Sequence, residues 1–86
     1  NDRRWLLLDA ELTIGAGKEA DVLVEPAFVS SLHCRVSCEE GDWWVTDLSS
    51  KNGTRFNGRS VTRHPLSHGD VIQLTDVNLV LILDNG

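Results

Sequence analysis

The stretch Leu32-His33-Cys34-Arg35-Val36-Ser37-Cys38-Glu39-Glu40-Gly41-Asp42-Trp43-Trp44-Val45-Thr46-Asp47-Leu48 decides the fold. Successive side chains of an extended strand point to opposite faces, so a two-residue alternation of polarity marks a half-buried strand. Over residues 32–38 the alternation puts Cys34, Val36 and Cys38 on one face and His33, Arg35 and Ser37 on the other. Both cysteines are therefore read as small apolar core residues. Gly41-Asp42 supplies the reversal, and residues 43–48 return as a second strand. There Trp43 and Trp44, as neighbours, must face opposite ways, one to the core and one partly to solvent.

The same pattern extends outward in both directions. Further strands are expected at 4–8, 11–14, 21–24, 54–56, 59–62, 71–74 and 77–83, bounded by Gly, Pro, Asn, Asp and Ser, and no window carries a 3.6-residue apolar stripe. Asn57-Gly58 has the composition of a type I′ hairpin turn, and Ser67-His68-Gly69-Asp70 is a polar connection. Many short strands at close spacing make an all-β sandwich or barrel. The irregular segments are 48–53 and 25–31, the latter with Pro26 and Phe28, where Phe28 is read as either a core residue or the wall of a ligand pocket.

With 86 residues the chain is one domain, residues 1–86, since a chain this short buries only about 60% of its unfolded surface and cannot supply two cores. The start Asn1-Asp2-Arg3-Arg4-Trp5 reads as a module cut from a longer protein. A net charge of −5 disfavours general binding to nucleic acid or anionic lipid, where cationic surface supplies most of the affinity. The longest apolar run, 77–83, is broken by Asn78 and falls far short of the ~20 residues that span a bilayer. Cys34 and Cys38, four residues apart on one strand, stand about 14 Å apart, beyond the ~7 Å limit for a disulfide. Two unpaired thiols favour a reducing compartment, cytoplasmic or nuclear.

Several motifs have an ordinary structural explanation. Gly15-Ala16-Gly17-Lys18-Glu19-Ala20 matches the dinucleotide fingerprint, but a β-rich run and Pro26 follow where a helix N-terminus is required, so the glycines are read as shaping a tight loop. Ser30 and His33 could form a nucleophile and base, yet no oxyanion donor set or nucleophile elbow accompanies them, and no catalysis is expected. Zinc would need His33, Cys34, Cys38, His64 or His68 to converge. His33 and Cys34 face opposite ways, and Pro65 and Gly69 argue against a helix aligning His64 with His68, so neither metal nor cofactor is expected and the latter two are read as solvent-facing loop residues. Residues 51–63 hold Lys51, Arg55, Arg59 and Arg63 with no acid, a basic island beside the donor-rich loop Ser49-Ser50-Lys51-Asn52-Gly53-Thr54, suited to a small anionic ligand.

Five spaced elements then coincide: Gly15 with Asp21, Ser30-Ser31-Leu32-His33, Asp47-Leu48-Ser49-Ser50-Lys51-Asn52-Gly53-Thr54, Asn57-Gly58, and Gly69-Asp70-Val71-Ile72. Together they resemble the forkhead-associated (FHA) domain, over nearly the whole chain. The resemblance implies a sandwich of two twisted, mainly antiparallel sheets, about eleven short strands, whose loops at one end bind phosphothreonine in an extended peptide, without enzymatic activity. It implies that Ser30 bonds the phosphate, His33 buttresses the loops and Asn52 holds the peptide backbone, with Ser31 and Lys51 adding contacts. Lys18 and Arg55 complete the expected binding set, and Gly15, Gly53 and Asn57 join His33 as structural support. The partner implied is a threonine-phosphorylated protein, with neither nucleic acid nor membrane in direct contact.

One position departs from the family. Phosphothreonine-binding members usually carry Arg directly after the first motif glycine, and this chain has Ala16. A charge-assisted hydrogen bond contributes about 1.5–3 kcal/mol, so its loss weakens binding roughly ten- to hundredfold unless compensated. Three explanations stand open: Lys18 or Lys51 takes over the phosphate, the domain recognises an unphosphorylated partner as a degenerate scaffold module, or the alanine is an engineered replacement.

Overall fold

A computed structural model describes residues 2–24 and 29–83; Pro26 and Phe28 lie outside the described residues. Ten strands follow one another: β1 (Asp2–Leu8), β2 (Leu12–Gly15), β3 (Val22–Leu23), β4 (Cys34–Glu39), β5 (Asp42–Asp47), β6 (Thr54–Phe56), β7 (Arg59–Val61), β8 (Arg63–Leu66), β9 (Val71–Leu74) and β10 (Val77–Leu83). They form two five-stranded sheets, ordered β1-β10-β9-β6-β7 and β3-β2-β4-β5-β8. Most pairings are antiparallel; β1 runs parallel to β10 and β2 parallel to β3. This is the expected all-β sandwich, with ten strands among the described residues where the family suggested about eleven.

Alternation builds the core. Along β10 the odd residues Val77, Leu79, Leu81 and Leu83 are buried, with the even ones between them half-buried. They meet Leu8 and Ile72 of their own sheet and Ile14, Val36 and Val45 of the other in one apolar cluster. Full burial of each such side chain contributes about 1.5–3 kcal/mol.

Several expectations are corrected. β8 was missed because Pro65 interrupts its pattern; it lies at the outer margin of the second sheet, beside β5, where a residue without an N–H is tolerated. Cys34 is buried but Cys38 is exposed. The β4–β5 register runs unbroken to Glu39 opposite Asp42, so Cys38 keeps the parity of Cys34, yet it lies one pair from the hairpin turn and Ser37 is buried in its stead. Trp43, the cross-strand partner of Cys38, fills the core there, while Trp44 is half-buried as the adjacent pair requires. The β4–β5 turn centres on Glu40 and Gly41, with φ of 52° and 86°, one residue earlier than read. Asn57 and Gly58, at 52° and 79°, have the paired positive φ of the expected type I′ turn. His64 is half-buried on β8, its ring stacked on Phe56 at 4.1 Å, not a loop residue; His68 is exposed and accepts the Leu83 N–H.

Candidate functional site

The loops joining β2 to β3, β3 to β4 and β5 to β6 meet at one end of the sandwich, with His33 at their junction. Its side chain is 0% exposed, and every polar group it carries is paired. Its N–H donates to Ile14 O at 2.8 Å and its carbonyl accepts from Leu48 N at 2.9 Å. The ring nitrogen Nδ1 accepts the Ser30 N–H at 3.1 Å, so the proton belongs on Nε2, which donates to Gly53 O at 2.8 Å. One imidazole thus ties the Ser30 loop to the Gly53 loop, twenty residues on.

The two loops also bond directly. Ser30 Oγ accepts the Lys51 N–H at 3.0 Å, which uses a lone pair and leaves its O–H available as a donor. The segment 47–54 closes around Asp47. Its Oδ2 accepts the Ser50 N–H at 3.0 Å, and its Oδ1 accepts the hydroxyls of Ser50 at 2.5 Å and Thr54 at 2.8 Å. Ser50 Oγ in turn accepts the Gly53 N–H at 2.9 Å. Burial opposes ionisation of Asp47, but the hydrogen bonds from the Ser50 and Thr54 hydroxyls and the Ser50 N–H together outweigh it and hold the carboxyl below its ordinary value. Ser49, at φ 57°, and Gly53, at φ 83°, make the two sharp bends.

The glycine loop packs against Ser30-Ser31. Ala16 N and Gly17 N donate to the carbonyls of Ser30 and Ser31 at 2.9 and 3.0 Å. A Cβ on Gly15 would lie 2.1 Å from Ser31 O, so glycine here is a requirement of close main-chain approach. Asp21 closes the loop from the other side, its carboxylate accepting the Thr13 N–H at 2.8 Å. Lys18 and Ser31 share the lining of a shallow cavity of about 330 Å³.

The expected binding residues fall as follows. Ser30, Ser31, Lys18, Lys51 and Asn52 stand on these meeting loops, with Lys18, Ser31, Lys51 and Asn52 exposed. Arg55, on β6, shares a cavity of about 410 Å³ with Asn52 and with Thr75 and Asp76 of the β9–β10 turn. Asn57 is at the opposite end of β6, about 14 Å from Gly53 along the strand. The basic island does not hold together as one site. Arg63 lies on the second sheet, paired with Glu39 at 3.0 Å and stacked 3.9 Å over Trp44, whereas Arg55 and Arg59 belong to the first. Two features were missed from sequence. Asp47 organises the loop, signalled only by its spacing of three from Ser50, and Thr75 sits at φ 53° with its hydroxyl buried and unpartnered.

A rigid sandwich presenting hydroxyls, amides and ammonium groups on meeting loops defines a class of β-sandwich interaction modules. Among the described residues no three metal-ligating side chains cluster, and no helix is long and apolar enough to cross a membrane. The FHA domain family model matches residues 12–75, and the chain belongs to that family. It is 33% identical over 79 residues to the oxoglutarate dehydrogenase inhibitor of Corynebacterium efficiens, covering 92% of this chain and 56% of that protein. The chain thus spans about half the length of that curated relative. Among solved structures it resembles Mycobacterium tuberculosis EmbR in complex with a low affinity phosphopeptide, with TM-score 0.77, 25% identity, and coverage of 83% of this chain and 19% of that one. It also resembles the FhaA FHA domain complexed with the intracellular domain of Rv3910, with TM-score 0.71, 32% identity, and coverage of 80% and 76%.

Proposed function

We propose that the domain is a non-enzymatic module that binds a phosphothreonine-bearing segment of a partner protein at the Ser30 and Lys51 loops. The observation that carries this reading is the Ser30 Oγ to Lys51 N bond of 3.0 Å, which sets a free hydroxyl hydrogen beside the root of an exposed lysine. A phosphate carries about −1.5 to −2 charges and three acceptor oxygens, which the Ser30 and Ser31 hydroxyls and the Lys51 and Lys18 ammoniums can satisfy together. Asn52 holds the peptide backbone, and Arg55, across the adjoining cavity, meets a residue beside the phosphothreonine. Gly15, His33 and Gly53 keep the loops in place, and Asn57 fixes the far turn of β6. The −5 charge fits a protein partner, not nucleic acid or membrane, and the two free thiols fit a cytoplasmic setting.

Binding is tested by titrating phosphothreonine peptides against their unphosphorylated and phosphoserine counterparts. Phosphate-dependent binding that Ser30→Ala weakens at least tenfold supports the reading; equal binding of the unphosphorylated peptides overturns it. One observation favours a second reading, phosphate-independent recognition: Ala16 brings only a methyl, and its N–H is already given to Ser30 O at 2.9 Å.

A further inference from the structure

We propose that the solvent face of the first sheet is a second docking surface, which takes an extended protein segment alternating acidic and apolar side chains. The strand registers line up two rows across this face. Arg3 pairs with Asn78, Asn78 with Gln73 and Gln73 with Arg55, giving a row of two arginines flanking two amides. Two residues along the strands, Trp5 pairs with Val80 and Val80 with Val71, and beyond them Leu7 pairs with Ile82, giving an apolar zone.

Scattered exposed apolar side chains need no explanation, but these are contiguous. Trp5 is 66% and Leu7 58% exposed, the two most exposed large apolar side chains of the described residues. Exposed tryptophan beside arginine is the composition of binding hot spots. The arginine row is also a groove: Arg3, Asn78, Gln73 and Arg55 share the lining of a cavity of about 220 Å³. None of the strand residues in either row is acidic, although the chain as a whole carries −5.

Charge and spacing select the occupant. Arg3 and Arg55 lie three strand spacings apart, about 14 Å, which equals the ~14 Å between side chains i and i+4 of an extended peptide. The two rows are about 7 Å apart along the strands. A segment lying on the border between them turns alternate side chains to either side, carboxylates to the arginines and amides, apolar groups to Trp5 and Val80. A second copy of this domain laid face to face would bring the arginine row against rows whose strand residues include no acid, Asp76 lying outside them at the β9–β10 turn.

The test is a titration of the nitrogen-15-labelled domain with a synthetic heptapeptide alternating Glu and Leu, against a Lys–Leu heptapeptide of the same pattern. The expected result is saturable shifts at the Trp5 indole and the amides of Arg3, Asn78 and Val80, with the Lys–Leu peptide at least about tenfold weaker. Arg3→Glu and Trp5→Ser, both at exposed positions, are each expected to weaken Glu–Leu binding about tenfold and leave phosphothreonine-peptide affinity unchanged. Equal response to the two peptides, shifts confined to the Ser30 and Lys51 loops, no effect of either variant, or self-association through Trp5 would overturn the proposal. The phosphothreonine titration reads the loop amides, so either reading can fail without the other. Arg3→Gln, which removes charge without reversing it, serves as the second variant if Arg3→Glu does not fold.

Discussion

His33 Nε2 donates to the main-chain carbonyl of Gly53 across 2.8 Å, while Nδ1 of the same ring accepts the Ser30 N–H at 3.1 Å. The ring is wholly buried, so its removal leaves an orphaned N–H, an orphaned C=O and a cavity. An unsatisfied buried group costs about 1–3 kcal/mol. His33→Ala is therefore expected to destabilise the domain by about 3–5 kcal/mol, a large share of the 5–15 kcal/mol typical of a domain. Urea unfolding followed by tryptophan fluorescence measures it, and a loss under 1 kcal/mol would show that the ring is not the strut between the loops.

Asp47 gives the fold an acid limit. Its carboxyl is held below the ordinary value near 3.8, burial opposing the shift and the hydrogen bonds from Ser50 and Thr54 overcoming it. A group with a depressed folded-state value binds its proton more readily in the unfolded chain. Its stabilisation is therefore complete well above pH 4 and is lost as pH falls through the folded-state value. Wild type is expected to exceed Asp47→Asn in stability at pH 7, and the gap to narrow as pH drops from about 5 to 2. Denaturation midpoints of the two proteins across that range check the sign, and a gap that widened in acid would contradict it.

The two thiols should differ in chemistry as they differ in burial. Desolvation pushes Cys34 up to about 12, with the Asp47 charge adding to it against a hydrogen bond with Thr54, so it stays a buried thiol. Cys38 is exposed. Since the thiolate is the reactive species, one equivalent of Ellman's reagent is expected to react in the native domain and a second only on unfolding. Rapid release of two equivalents from the native state would place Cys34 nearer the surface than described.

Gly15 tests the close approach of the loops. A Cβ there would meet Ser31 O at 2.1 Å and Ser31 C at 2.7 Å, both main-chain atoms that cannot rotate away. Gly15→Ala is expected to cost about 3 kcal/mol or more and to shift the amides of Ser30 to Leu32 in a nitrogen-15 spectrum. At Gly41 nothing lies within 4 Å, so any cost of Gly41→Ala comes from its φ of 86° and leaves the Ser30 loop undisturbed.

What could be read from the chain was local. The strands at 54–56, 71–74 and 77–83 and the Asn57-Gly58 turn follow from alternation and turn chemistry alone, and each reappears with the same residues. What depended on partners distant in sequence was not legible. Arg55 and Arg63 look alike in a basic run, yet one lines a cavity with Asn52 and the other is spent on Glu39 and Trp44, because consecutive strands join different sheets. Cys38 shares the parity of Cys34 in an unbroken register, but parity alone does not set burial one pair from the hairpin turn, where Cys38 is exposed. The motif at 30–33 pointed to the loops, and the resemblance supplied the buttressing role of His33; its bridge to Gly53 needed coordinates.

Ala16 offers the sharpest functional test, because restoring arginine there asks whether the site still receives phosphate. Ala16 N is bonded to the main-chain carbonyl of Ser30, so a side chain at this position starts on the loop that meets the residue assigned to the phosphate. If Ser30, Lys18 and Lys51 form a working but weakened phosphate site, Ala16→Arg adds one charge-assisted contact of about 1.5–3 kcal/mol and should tighten phosphothreonine-peptide binding roughly ten- to hundredfold. The gain should shrink with salt, since part of it is attraction between exposed charges within the ~10 Å screening length at 0.1 M. Calorimetric titration of wild type, Ala16→Arg and Ala16→Gln at two salt concentrations separates charge from size. A gain with arginine alone marks a phosphate site, whereas no gain with arginine, alongside wild-type binding indifferent to phosphate, identifies the phosphate-independent reading as correct.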